Sequence, residues 1–178
     1  MMKRLTALGR AMGFNVRTKI GEFPKVYWKF IFEDGTPGKI KLEINTYERS
    51  PMLPLTMRGH SIVSSFYEGS ASVPTFQPEE LVATKLRALY LRKKGRDLYD
   101  LWLALTVLKL DPKDIISSFP AYKPDGVDGF MIMKNLDSKL ESRDFCTDVN
   151  AMLKVGAPEY NPQKAGKIVS EKLLSLID

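Results

Sequence analysis

The chain has one cysteine, Cys146, and one histidine, His60, in 178 residues. A lone cysteine excludes an internal disulfide framework and a thiolate zinc site, and it suits a reducing cytosol. The basic start MMKRLTALGRAMGF lacks a continuous apolar h-region, so a secretory leader is not expected. The longest apolar runs fall far short of the ~20 residues that span a bilayer. Internal repeats and low-complexity segments are missing too. What remains is ordinary for a folded soluble protein: 44% apolar and 27% charged residues, enough for a sizeable core in one domain or one domain with an appendage. Acidic residues are in deficit, 21 against 27 Lys and Arg, for a net charge of +6. That excess fits a polyanionic partner such as nucleic acid or a nucleotide, and equally a merely basic surface.

The pattern changes period along the chain. Lys3–Met12 reads as a short amphipathic helix that Gly13 stops. Val16–Ile20, Val26–Glu33 and Lys39–Tyr47 read as strands. The turn Asp34-Gly35-Thr36-Pro37-Gly38 makes the last two an antiparallel hairpin. Ser50–Gly59 reads as loop, and Ile62–Tyr67 and Ala71–Phe76 as two short strands around Glu68-Gly69-Ser70. From Pro78 the pattern is helical, with Glu79 and Glu80 in the first turn favouring the dipole. Further helices are expected over Asp97–Leu108, Pro112–Phe119, Asp128–Leu140, Arg143–Leu153 and Pro162–Leu176. Strands followed by helices predict an α+β fold, divided into 1–77 and a helical portion, 78–178, packed on it.

Three charged positions stand where apolar ones are expected. In the first helix of EELVATKLRALYLRKKGRDLYDLWLAL, Lys85 falls inside the arc of Leu81, Val82, Leu86 and Leu89. Such a lysine must snorkel, find a carboxylate or meet an anion. Asp97 and Asp100 begin the next helix. They read either as a capping pair, with Asp97 as N-cap, or as members of a corner with Arg92, Lys93, Lys94 and Arg96. Basic residues before a helix N-terminus suit a phosphate, or form a solvated turn. On the strand KIKLEIN, Lys39, Lys41, Glu43 and Asn45 share one face. That face is either wet or lines a cleft in which Glu43 serves a metal or a proton. Tyr27, Trp28, Phe30 and Phe32 read as strand packing rather than a base-stacking platform, and His60 as a surface residue.

KIKLEINTYER followed by PEELVATKLRALYLRKKGRDLYDLWLAL, with the tail FCTDVNAMLKVGAPEYNPQKAGKIVSEKLLSLI, resembles the AbiEii/AbiGii toxin family of nucleotidyltransferase-like proteins. The resemblance implies a partial nucleotidyltransferase-like, mostly antiparallel sheet followed by a C-terminal helical bundle. It implies toxins of toxin–antitoxin and phage-defence systems that transfer a nucleotide from an NTP, some onto tRNA, with an antitoxin as a further partner. Residue by residue, Glu43 resembles the strand carboxylate downstream of the metal-binding pair, which implies a role in catalysis and metal binding. Lys85 resembles the helical lysine facing the nucleotide, and Arg96-Asp97 the later arginine–aspartate motif, with Asp100 following. Arg92, Lys94, Arg96 and Lys41 would hold phosphates. Mg²⁺ would clamp the triphosphate and neutralise charge on the phosphate under attack.

The family's first motif, a Gly-Gly or Gly-Ser turn before an Asp-x-Asp strand, has no counterpart. Glu33-Asp34 lies beside a turn, Asp97 and Asp100 are separated by two residues on a helix, and no acidic strand follows Gly69-Ser70. By that resemblance the chain is expected to start where the helix after that motif would stand. The expectations are therefore a nucleotidyltransferase completed by further carboxylates, or a non-catalytic member binding nucleotide, nucleic acid or an antitoxin. A structural domain without a ligand is the third.

Overall fold

Gly13 ends the first helix in the way its position predicts. In the computed structural model, which describes residues 1–46 and 50–178, α1 (Met2–Ala11) closes with Gly13 at φ 80°. The Gly13 amide donates to Arg10 and the Phe14 amide to Gly9, the paired bonds of a Schellman stop. The chain divides into two compact units, Met1–Ser50 and Pro51–Asp178.

In the first unit, β1 (Asn15–Lys19), β2 (Lys25–Ile31) and β3 (Pro37–Glu43) form an antiparallel sheet in the order β1-β2-β3. The β2–β3 turn is made by Asp34, whose carboxylate accepts from the Thr36 amide at 2.9 Å and hydroxyl at 2.6 Å, and by Gly35 at φ 82°. One face carries Val16, Val26, Trp28, Phe30 and Leu42, the alternate residues of each strand. It meets α1: Trp28 Nε1 donates to the Leu5 carbonyl at 3.1 Å, and Phe14 stacks on the indole at 5.6 Å. Gly9 is required there, since a Cβ would collide with the Trp28 ring. The aromatics read as packing do pack, Phe14 on Phe30 and Phe30 edge-on to Phe32. Strand β3 ends at Glu43, earlier than the pattern suggested, and the expected end at Tyr47 lies outside the described residues.

The second unit opens with an antiparallel hairpin, β4 (Thr56–Val63) and β5 (Glu68–Thr75). Here the sequence reading is corrected. Thr56–Gly59 is strand rather than loop, and the turn is Ser64–Tyr67 rather than Glu68–Ser70. The Ser64 hydroxyl oxygen accepts from the Phe66 and Tyr67 amides, while its amide donates to the Tyr67 carbonyl at 2.9 Å. That local hydroxyl turn outcompetes the glycine, and Gly69 pairs with Ile62 inside the ladder.

Eight apolar residues of the bundle's first two helices, Leu105 among them, carry much of the core. Helix α2 (Pro78–Leu91) buries Val82, Ala83, Leu86 and Leu89; α3 (Gly95–Thr106) buries Leu98, Leu101 and Ala104. Around them pack α4 (Pro112–Ser118), α5 (Gly129–Leu140), α6 (Arg143–Thr147) and α7 (Pro162–Lys172), bringing Ile115, Ile132, Leu136, Phe145 and Val169, with Phe119 from the 3-10 turn after α4. Asp111, Asp128 and Asn161 cap α4, α5 and α7 through their side chains. The helix expected over Arg143–Leu153 breaks after Thr147, and the last one yields to a 3-10 turn at Leu174–Leu176. Seven helices and two small antiparallel sheets among the described residues make the fold α+β, as the pattern predicts.

Candidate functional site

The corner between α2 and α3 holds most of the charged residues singled out above. Pro78 pre-sets the first turn of α2, and the apolar face then drives the helix onto α3. Lys85 lies at the edge of that face, not in its centre. Its Nζ meets Asp100 Oδ2 at 2.8 Å, and the two side chains are 33% and 37% exposed. The lysine has thus found a carboxylate one helix away.

Asp97 does not cap α3. The helix starts two residues earlier, with Lys94 as N-cap and Gly95 first. The reason is packing: Gly95 lies so close to the Phe145 carbonyl that any Cβ would overlap it. Asp97, moved inside the first turn, is 0% exposed and receives a fork from Arg92, Nε to Oδ2 at 2.7 Å and Nη2 to Oδ1 at 2.6 Å. The hydrogen bonds it donates to Asp97 hold the Arg92 guanidinium above its ordinary range, against the opposing effect of burial. The first turn of α3 is served instead by Asp148, which accepts from the Arg96 amide at 3.2 Å and has Lys94 Nζ at 3.9 Å. A carboxylate of the chain sits where a phosphate was expected.

Arg96 is turned differently. Its guanidinium lies 4.0 Å from Met152 Sδ and lines a cleft of about 520 Å³ with Tyr99, Asp100, Leu153 and Lys154. That volume lies within the few-hundred to ~1,000 Å³ range of small-molecule sites. Tyr99 belongs to an aromatic cluster with Trp102 and Tyr160, and burial pushes the Tyr160 hydroxyl well above its ordinary range.

Two buried charged residues escaped the sequence reading. Lys139 of α5 donates its ammonium to the Leu89 and Tyr90 carbonyls, the last turn of α2, and burial pushes its pKa down to about 8 against the pull of Asp97. Its signal was legible, a lysine on the Ile132–Leu136 stripe. Glu80 is fully buried and accepts from Met52 N at 2.6 Å, Leu53 N at 3.0 Å and the Tyr122 hydroxyl. Burial alone would raise its pKa; the three hydrogen bonds outweigh it and hold the carboxyl below the usual range.

Glu43 and Lys41 belong to the first unit. Glu43 Oε1 lies 3.0 Å from Lys25 Nζ and Oε2 lies 2.7 Å from Lys41 Nζ, which together lower its pKa, Lys41 more than Lys25. Both oxygens are therefore engaged by ammonium groups. Among the described residues, no group of three or more Asp, Glu, His or Cys side chains gathers to hold a metal. Mg²⁺ is usually held by one or two carboxylates together with substrate phosphates, and Glu43, the carboxylate expected to serve it, is engaged by two ammonium groups. Among the same residues no helix is long and apolar enough to cross a membrane.

A model of the family described as nucleotidyl transferase AbiEii toxin, type IV TA system, matches residues 3–175. No curated protein and no solved structure matches the chain.

Proposed function

This chain belongs to the nucleotidyl transferase AbiEii toxin family of type IV toxin–antitoxin systems, and from that premise we propose that it holds a nucleoside triphosphate at the α2–α3 corner, for transfer of a nucleotide to an RNA or protein acceptor. The observation that carries the reading is the cleft lined by Arg96, Tyr99, Asp100 and Lys154, with Lys85 paired to Asp100. Two cations in the lining suit phosphates, and Tyr99 with the apolar Met152 and Leu153 suits a base and sugar. Lys85 can leave Asp100 for a phosphate oxygen at modest cost, because both partners are part-exposed. The antitoxin is a family partner in this reading, and the cytoplasm, with its triphosphates and RNA, is the place of action.

A second reading has its own support. With Glu43 neutralised by Lys25 and Lys41, the described carboxylates do not assemble for Mg²⁺. In that reading transfer needs carboxylates beyond the described residues, which by themselves bind without transferring. Incubation with Mg²⁺, labelled triphosphates and total tRNA separates the readings when retained nucleotide and transferred label are measured independently. Retention with transfer is expected of the first reading, and retention without transfer of the second. Transfer would overturn the second reading; absence of retention would overturn the nucleotide site itself.

A further inference from the structure

The solvent face of the three-stranded sheet has a composition that stability alone does not explain. Opposite the face packed on α1, the register aligns Asn15–Lys29–Lys39, Arg17–Tyr27–Lys41 and Lys19–Lys25–Glu43 in three successive rows. Six cations and one carboxylate share this surface. Glu43 is taken by Lys25 and Lys41. Among the described residues no carboxylate lies within ion-pair distance of Arg17, Lys19, Lys29 or Lys39, and all four are exposed.

Lys29 stands directly across from Lys39, and Lys19 from Lys25. Like charges at opposed positions destabilise an antiparallel pair. A face selected only for folding would alternate signs across the ladder. The same bias appears in the whole unit. The first fifty residues hold ten Lys and Arg against five Asp and Glu, and so carry nearly all of the chain's net charge of +6. A shallow cavity of about 580 Å³ lies at one end, bordered by Asn15, Lys29, Ile31, Pro37 and Lys39.

We propose that this sheet face binds the sugar–phosphate backbone of a nucleic acid. Along a strand, cations two residues apart are ~6.8 Å apart, and neighbouring strands are ~4.8 Å apart, which makes a two-dimensional grid of ammonium and guanidinium groups. Such a grid neutralises several consecutive phosphates and releases their counterions. Contact is led by phosphate rather than by base stacking, because the Tyr27 ring is already covered by Lys39 Nζ at 5.8 Å from its centroid. Binding here uses none of the residues that line the α2–α3 cleft. It rests on the reading above only in making the bound strand the acceptor.

The test is fluorescence anisotropy of labelled single-stranded RNA, single-stranded DNA and duplex RNA, titrated with the full chain and with Lys29→Gln/Lys39→Gln between about 50 and 200 mM salt. Wild type binds at least one of the three, and the arms identify which backbone the face accepts. For a single strand, removing two phosphate contacts lowers the slope of log K against log salt by about 1.4, so wild-type affinity falls about sevenfold further than the variant's over that range. Thermal melting of the variant is no lower than wild type, since an opposed like-charge pair has been removed. Triphosphate retention is unchanged. An unaltered salt slope, no binding by wild type to any strand, or joint loss of nucleotide retention in the variant would each overturn the proposal.

Discussion

Substitution of Arg92 by Met is expected to cost more than substitution of the buried residue it serves. Asp97 is 0% exposed while the Arg92 side chain is 49% exposed. Removing the arginine strands a carboxylate in the bundle; removing the carboxylate leaves a guanidinium that water can reach. Breaking a buried pair from one side typically costs 3–5 kcal/mol. The half-exposure of Arg92 and the remaining charge of Lys139, which acts on Asp97 through space, place Arg92→Met at the low end, about 3 kcal/mol. Asp97→Asn keeps the shape and loses charge assistance, about 1–2 kcal/mol. Replacing both, Arg92→Met with Asp97→Leu, should recover most of the loss. Urea unfolding followed by far-UV circular dichroism, which reports chiefly the helices of the second unit, measures all three. A cost below about 1 kcal/mol for Arg92→Met, or a larger cost for Asp97→Asn, would refute the assignment of Arg92 as the chief compensation of the Asp97 carboxylate.

Glu80 ties the segment before β4 to α2 and the turn after α4, so Glu80→Gln should cost about 2–3 kcal/mol through two weakened amide contacts. Because its folded pKa is depressed, its contribution is present above the ordinary value of 4.5 and lost as pH falls through the folded pKa. Urea midpoints taken downward from pH 7 should therefore drop less steeply in Glu80→Gln than in wild type. Lys139 works in the opposite sense. Its folded pKa of about 8 lies below the ordinary 10.5, so the unfolded chain binds the extra proton between those values and stability rises with pH across that window. Lys139→Met should abolish this rise in midpoints measured from pH 7.5 to 10. Gly95→Ala places a methyl into the Phe145 carbonyl and should destabilise the bundle by about 2 kcal/mol or more in the same urea assay.

Local chemistry in the sequence anticipated local structure closely. The Gly13 stop, the Asp34-Gly35 hairpin and the Pro78 start are each decided within a few residues, and each stands where the pattern placed it. The β4–β5 turn was misplaced because Ser64-Ser65-Phe66-Tyr67 looks like strand by its aromatics. The deciding contact is a serine hydroxyl accepting two amides, while Phe66 points into water at 97% exposure. Wheel geometry correctly singled out Lys85 as a lysine in need of a partner, and the partner is Asp100. It could not reveal that Asp148, 52 positions from Arg96, already serves the α3 N-terminus, nor that Lys139 closes the α2 C-terminus from 50 positions away. Those contacts follow from how helices pack, and no spacing within one helix encodes them. For the same reason the basic corner read as one phosphate cradle, whereas Arg92 and Lys94 face carboxylates of their own chain and Arg96 lines the cleft.

The most direct measurement is calorimetric titration of the chain with a nucleoside triphosphate, repeated on Lys85→Met and Arg96→Ala. The account predicts saturable binding that each substitution weakens about tenfold or more, the worth of one charge-assisted contact to phosphate, with helical content unchanged. Affinity indifferent to both substitutions, or no binding by wild type together with a more stable Lys85→Met, would reduce the α2–α3 charges to structural ion pairs.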